Sequence, residues 1–278
     1  MIKSVKNEII IIRGGGDIAT GVVQKFFRAG FCVLILETQK PTAIRRSVAL
    51  CEAVYDGQVT VEDITCRKIN SFDEAGSCWK NGVVPLLIDH EGKSIGEIKP
   101  AAVIDAIIAK RNLGTTIDMA DLTIALGPGF NAGVDVHAVI ETKRGHDLGR
   151  MILKGYAEPD TGIPGEIEGE STRRVIHSPT DGVIRHIKQI GDIVKQGEPL
   201  FTVDNIKPGG AGARSVKVPA QIDGLLRGLI REGTHVRKGM KTADIDPRTD
   251  INWRTISDKA RCLGGAALEA YFFVRQGG

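Results

Sequence analysis

Ile9–Glu37, IIIIRGGGDIATGVVQKFFRAGFCVLILE, decides how the rest of the chain is read. Ile9 to Ile12 is an unbroken apolar run, the pattern of a strand buried on both faces. The turn Gly14-Gly15-Gly16-Asp17 follows. Next comes a helical stretch with apolar residues at Val22, Val23, Phe26 and Phe27, closed by Ala29-Gly30. A second apolar run, Cys32 to Leu36, ends on Glu37. The order is that of a β-α-β unit. Gly14, Gly16 and Ala19 occupy the positions of a G-x-G-x-x-A dinucleotide fingerprint, with an acid closing the second strand.

Each of these residues has a physical task in such a turn. Gly14 lets the chain turn sharply off the strand, and Gly16, lacking a Cβ, lets a phosphate approach the backbone. Ala19 is small enough for the helix to pack near the sheet. The N–H groups of Gly15, Gly16 and Asp17 at the helix start favour an anion, and Glu37 is placed to accept hydrogen bonds from a ribose. A tight turn that binds nothing can share this spacing. Strand, helix and terminal acid in register favour nucleotide binding.

The 278 residues are enough for two domains, and 42% apolar with 26% charged residues is ordinary for a globular protein. A net charge of +3 argues against an electrostatic nucleic-acid binder. No apolar stretch approaches the roughly 20 residues of a membrane helix, and Met1 to Glu8 is too short and polar for a secretory signal. Cys32, Cys51, Cys66, Cys78 and Cys262 are odd in number and form no C-x-x-C pair. That suits reduced thiols and a cytoplasmic location, with no zinc knuckle.

After Glu37, Thr42 reads as the N-cap of a short helix through about Cys51. Arg45 and Arg46 would then sit near the ends of the first two strands, where arginines can clamp a phosphate or carboxylate. Val59–Val61 and Cys66–Ile69 read as short extended pieces. Val83–Ile88 is a better strand, with Pro85 pointing to an edge or a bulge. Pro100 opens an expected helix from Ala101 to Arg111, with apolar residues at Val103, Ile104, Ile107 and Ile108. Leu122–Leu126 is a strand running into the Gly127–Gly133 loop, and Val134 to Ile140 a further one. Strands alternating with helices predict an α/β fold, a Rossmann-like doubly wound sheet over residues 1–155. Both glycine loops would lie beyond the carboxyl ends of its strands.

Polar candidates cluster after the second loop: Asp135, His137, Glu141, Lys143, Arg144, His146, Asp147 and Arg150. His137 lies in an apolar strand and reads as a hydrogen-bonded core histidine. His146-Asp147 sits in a loop, a more functional setting. Asp118 and Asp121 flank Met119-Ala120 and serve equally as paired carboxylates or as turn residues. No H-E-x-x-H or similar pattern is present, so no metal site is expected.

Residues 156–171 mix glycine, proline and acid and read as a linker. Beyond them Asp181–Asp204 and Asp223–Asp246 are two copies of one unit at an offset of about 42 residues, sharing Asp181/Asp223, Gly182/Gly224, Arg185/Arg227, Gly191/Gly233, Val194/Val236, Gly197/Gly239 and Asp204/Asp246. Each copy is too small to bury its own inner face. Residues 172–250 resemble the duplicated biotinyl/lipoyl-like hammerhead, an all-β barrel-sandwich hybrid in which a swinging lysine occupies the hairpin between the halves. Lys207 lies near that position. It lacks flanking methionines, Pro208 follows it, and Gly209, Gly210 and Gly212 lengthen the hairpin, so no biotin or lipoate is expected there. Ser257 reads as the cap of a final helix, Asp258 to Val274, and residues 251–278 are expected to pack on the first domain.

Taken together, RGGGDIATGVV, PTAIRR with AVYDG after it, GPGFNAGVDVHAVIET, RGHDLGR, AEPDTGIPGE, the DG…RGLIREG repeat and TISDKAR resemble the YqeB-type accessory proteins of selenium-dependent molybdenum hydroxylase systems. The first domain is similar to the nucleotide-binding half of the XdhC-type maturation factors. The resemblance implies a role in maturing or inserting the molybdenum cofactor or its labile selenium, with a molybdenum hydroxylase as client. It maps only the glycine loop, Gly14 to Asp17, onto this chain. The expected ligand is NAD(P) or molybdopterin dinucleotide, and a homo-oligomer is compatible with the reading. Two other functions fit the same residues. An NAD(P)-dependent oxidoreductase would need a proton donor, for which His137, His146 and Asp118 are the candidates. A non-catalytic scaffold would keep the glycine turn as a vestige.

Overall fold

The computed structural model describes residues 7–205 and 214–277, and these divide into two units. The first comprises residues 7–41, 48–161 and 255–277; the second comprises 42–47 and the described part of 162–254.

The first unit is built on the β-α-β segment. β1 (Ile9–Arg13), α1 (Asp17–Arg28) and β2 (Cys32–Glu37) form where the apolar runs and the helical spacing place them. Then come α2 (Ala53–Asp56), β3 (Gln58–Val61), β4 (Ile64–Ile69), α3 (Ala75–Lys80), β5 (Val83–Ile88), α4 (Ile95–Ile98), β6 (Ala102–Asp105) and β7 (Thr123–Leu126). The last elements are β8 (Asn131–Ala132), β9 (Ala138–Ile140), β10 (Met151–Ile152), β11 (Gly155–Tyr156) and α5 (Asp258–Arg275). Nine strands share one sheet in the order β10-β9-β7-β6-β1-β2-β5-β4-β3. The seven inner strands are parallel, and the edge strands β3 and β10 run antiparallel to their neighbours.

This mixed sheet corrects the expectation of a doubly wound Rossmann-like fold. Of the connections between the parallel strands only that from β1 to β2 carries a long helix; α3, between β4 and β5, has six residues, α4, between β5 and β6, has four, and β6 reaches β7 with no α-helix. The expected helix Ala101–Arg111 is the strand β6 followed by an irregular loop. All four residues of β6 are buried. A short apolar run buried on both faces carries no period that separates strand from helix. The helix expected from Thr42 is likewise replaced, by 3-10 turns at Arg46–Val48 and Leu50–Glu52. Pro85 sits in the interior strand β5 rather than at an edge. It is tolerated because pairing with β2 begins only at Leu86, so the missing N–H falls outside that ladder.

α5 covers the face of the sheet that α1 also covers, and the two helices approach unusually closely. A Cβ on Gly21 would lie 2.3 Å from the Ala260 carbonyl oxygen, and one on Gly264 2.4 Å from the Gly21 carbonyl oxygen. Glycine inside a helix costs up to about 1 kcal/mol against alanine; here it lets two backbones touch. Further along, Tyr271 meets Phe26 and Phe31 edge-on, with ring centroids 5.8 and 4.9 Å apart. The contacts advance together along both helices, so α1 and α5 run in the same direction and their N-termini lie at the same edge of the sheet. Glu62, in the β3–β4 turn, ties this pair down. Its Oε1 accepts from the Ile256 N–H at 2.8 Å and from Arg261 at 2.5 Å, and its Oε2 accepts from Gln24 at 2.8 Å.

The second unit contains β12 (Val175–His177), β13 (Gly182–His186), β14 (Ile193–Val194), β15 (Pro199–Asn205), β16 (Arg214–Pro219), β17 (Gly224–Leu229), β18 (His235–Val236) and β19 (Lys241–Asp246). They form two four-stranded antiparallel sheets, β12-β19-β17-β14 and β16-β15-β13-β18. Two separate sheets stand where the all-β barrel-sandwich hybrid was expected, which corrects that reading as well. The internal repeat is visible strand by strand. Moving 42 residues along takes β13 onto β17, β14 onto β18 and β15 onto β19, and each copy lends one two-residue strand to the sheet of the other. Shared residues do the same work twice. Asp181 accepts from the Lys238 N–H at 2.7 Å and Asp223 from the Gln196 N–H at 2.8 Å. A Cβ on Gly182 or Gly224 would strike the carbonyl oxygen of Asp204 or Asp246, at 2.6 and 2.2 Å. Ile184, Leu200, Phe201, Leu226 and Ile245 lie in one fully buried core. Lys207 and the glycines after it lie outside the described residues.

Two adjacent glycines of α5 give a direct test of the helix contact. Gly264→Val should cost about 1–3 kcal/mol or more by overpacking, whereas Gly265→Ala, whose Cβ would meet nothing within 4 Å, should stabilise by about 0.5–1 kcal/mol; urea unfolding of the two variants measures the contrast. A second test concerns acid. Arg28 donates two hydrogen bonds to Asp63 at 2.8 Å and Gln24 a third at 3.0 Å, and these hold the Asp63 carboxyl at about 2, led by the Arg28 bonds. The folded value lies below the unfolded one of about 3.9. The contribution is therefore complete above about pH 4 and is lost as pH falls through about 2. Asp63→Asn should flatten the acid limb of a Tm–pH profile in that window.

Candidate functional site

The inner strands are parallel, so their carboxyl ends share one edge of the sheet, where ligands of open α/β sheets bind. The glycine turn lies there. So do the loops after β6, β7 and β9 and the first turn of α5.

The three glycines of the turn serve different ends. The Gly14 N–H donates to the Leu36 carbonyl at 2.8 Å. Its φ is +94°, and a Cβ on it would lie 3.1 Å from the Ile107 Cα. The Gly15 carbonyl accepts from the Cys51 N–H at 2.8 Å, and a Cβ there would lie 3.0 Å from that nitrogen. Both are glycines because neighbouring backbone crosses them. Gly16 is different. Its backbone is extended (φ −65°, ψ −177°), open to any residue, and a Cβ would meet no atom of the described residues within 4 Å. It is the N-cap of α1, and no side chain caps that end. Ala19, in the first turn of α1, is fully buried.

Glu37 does not present a free carboxylate. Its Oε2 accepts from the Gly15 N–H and its Oε1 from the Thr38 N–H, both at 2.7 Å. Burial pushes its carboxyl up against the pull of those bonds. Glu37 therefore braces the turn. Arg45 and Arg46 belong to the second unit, where Arg46 Nε donates to the Leu229 carbonyl at 2.7 Å.

His137 and Asp118 lie at the opposite edge of the sheet. His137 precedes β9 and its Nδ1 accepts from the Thr123 N–H, at 3.0 Å, where β7 begins; burial depresses its imidazole, partly offset by Asp118. Asp118 is exposed in the turn before β7. Neither is near the glycine turn. His146 is exposed in the loop after β9, on the carboxyl side. Among the described residues no group of three or more His, Cys, Asp or Glu is placed to hold a metal ion, and no helix is long and apolar enough to cross a membrane. The Cys51 thiol beside Gly15 is pushed well up, chiefly by burial, which suits packing rather than nucleophilic chemistry.

Two features of this edge escaped the sequence reading. The first is the loop after β6. Ile108 and Lys110 adopt φ of +58° and +61°, and for a β-branched residue that is a strained conformation. A Cβ on Gly129 would lie 2.5 Å from the Arg111 Cα, so the loop depends on glycines above and below it. The second is Lys259, half-buried in the first turn of α5 beside the Ser257 cap, whose Oγ accepts from the Ala260 N–H at 3.2 Å. Burial lowers its ammonium from the usual lysine value, and Arg144 and Lys110 add to that while Asp17 and Glu141 oppose it. A cation in a helix first turn opposes the macrodipole, and that was the signal available in TISDKAR.

Over 273 residues, 98% of this chain, the sequence is 45% identical to YqeB of Escherichia coli (strain K12). The chain is similar to YqeB over almost its whole length. It spans about half of that relative, 49% of whose length is covered. No protein-family profile matches. Among solved structures, an aspartoacylase family protein from Mesorhizobium loti covers 86% of this chain and 84% of its own, at 11% identity and a TM-score of 0.29. A succinylglutamate desuccinylase/aspartoacylase from Rhodobacter sphaeroides covers 89% and 88%, at 10% identity and a TM-score of 0.30. Scores this low carry neither fold nor activity across.

The turn itself yields a stability prediction. Gly14→Ala and Gly15→Ala should each cost about 1–3 kcal/mol through strain and overpacking, and Gly16→Ala no more than about 1 kcal/mol, the difference between glycine and alanine at an N-cap. Chemical denaturation of the three variants should give that order.

Proposed function

We propose that this chain is an accessory factor that holds a nucleotide-bearing anion at Gly16 and Asp17, in the maturation of a molybdenum hydroxylase. One observation carries the binding reading: Gly16 is the glycine of the turn that the fold does not require. It opens at the uncapped N-terminus of a 12-residue helix, where backbone N–H groups and the helix dipole favour a phosphate. The client and the selenium or molybdenum context rest on the resemblance of the quoted segments.

The fit to a dinucleotide is partial. The open space beside Gly16 leaves room for a phosphate. A ribose held by Glu37 fits poorly, because both carboxylate oxygens already accept backbone N–H groups. This favours a ligand gripped through its phosphates, whether NAD(P) or molybdopterin dinucleotide. Bound there, either group would bring its own redox or metal chemistry; the chain's residues would orient its phosphates. Of the three acid–base candidates an oxidoreductase would need, only His146 lies on the carboxyl side, so holding is favoured over turnover. The scaffold reading draws on a separate observation: Ile107 and Cys51 already pack over Gly14 and Gly15.

Thermal-shift titration with NAD⁺, NADP⁺ and molybdopterin dinucleotide tests the proposal. Saturable stabilisation by one of them is expected, and Gly16→Val should abolish it while leaving the melting temperature without ligand within a few degrees. Turnover of NAD(P) would favour the oxidoreductase. Retained binding in Gly16→Val would overturn the phosphate cradle, and no response to any nucleotide together with capture of a hydroxylase client would establish the scaffold.

A further inference from the structure

The charged side chains around the first turn of α5 are not equally committed. Lys110 donates to Asp160 at 2.6 Å. Arg144 donates to both carboxylate oxygens of Asp258, at 3.0 and 3.1 Å. Glu141 is buried, and its two oxygens accept from the backbone N–H groups of Lys143 and Glu158, each at 2.7 Å. Lys259 stands apart: among the described residues its ammonium donates no hydrogen bond and forms no ion pair within 4.0 Å, although it is half-buried and within Coulombic reach of Arg144, Lys110, Glu141 and Asp17.

A half-buried cation without an acceptor costs stability, and two neighbouring cations and the positive end of its own helix raise that cost. α5 is held in parallel with α1 by the Gly21–Ala260 and Gly21–Gly264 contacts, so Lys259 stands at the edge of the sheet that carries Gly16. The arrangement is relieved by an anion.

We propose that Lys259 reads the charge of the ligand held at the glycine turn, so that the site selects a phosphate or pyrophosphate ester over an uncharged nucleoside. This rests on the binding reading above and adds to it the residue that discriminates.

Isothermal titration of the full chain with inorganic pyrophosphate, NAD⁺ and adenosine, in wild type, Lys259→Met and Lys259→Arg, tests this. Wild type should bind pyrophosphate and NAD⁺ and bind adenosine at least tenfold more weakly. Lys259→Met should lose tenfold or more in affinity for the two phosphates, and Lys259→Arg should stay within a few fold. Without ligand, Lys259→Met should melt at or above the wild-type temperature, because an uncompensated charge has been removed; a merely structural lysine would lower it. Wild-type affinity in Lys259→Met, equal binding of adenosine and NAD⁺ by wild type, or a lowered melting temperature in Lys259→Met would overturn the role of Lys259 and leave the glycine-turn reading standing. Failure of wild type to bind either phosphate would overturn both.

Discussion

Backbone-to-backbone contact between α1 and α5 is the constraint on which the first unit's functional edge depends. Gly21 and Gly264 let the helices approach to a distance that any side chain would forbid. The consequence is chemical as well as mechanical. Because the helices run parallel, two N-termini meet the same edge of the sheet, and residues more than 200 positions apart in sequence, Gly16 and Lys259, come to share it. Aromatic packing of Tyr271 on Phe26 and Phe31 and the Glu62 clamp hold the arrangement from its other end and from the side.

The glycine turn shows how one motif divides its labour. Gly14 and Gly15 answer to the loops that cross them, and Glu37 answers to the Gly15 N–H. Only Gly16 is unexplained by the protein's own packing. A fingerprint residue that the fold does not use is a better pointer to a ligand than the three that it does. The acid closing β2 is thereby moved from recognising a sugar to keeping the turn in shape.

The second unit applies another economy. Each copy of the repeat places an aspartate before a glycine, and each aspartate caps a backbone N–H of the other copy. The shared pairs Asp181/Asp223 and Gly182/Gly224 are thus accounted for by the way the copies interlock. They need no ligand to explain them. Arg227 joins this frame by donating to Asp246 at 2.6 Å and to Asp244 at 2.8 Å.

Local pattern was enough to read β1, α1, β2, β5, β7, the duplicated strands and the Ser257 cap, because a run of isoleucines, a 3.6-residue period or a repeat is written in adjacent residues. It failed at Ala101–Arg111, where a buried strand and a helix share the same short apolar signature. It also failed on fold class, since no local rule says whether a crossover will carry a helix, or whether a repeat closes into a barrel or divides into two sheets. The site followed the same line. The glycines were legible, but their separate roles were not, and His137 and Asp118 looked eligible until the sheet placed them at its far edge. Lys259 was visible only as a cation in the wrong turn of a helix. That it stands on the edge of the sheet where Gly16 opens, with no partner among the described residues, was decided by packing between distant segments, which the sequence holds only as two glycines with no local reason to be there.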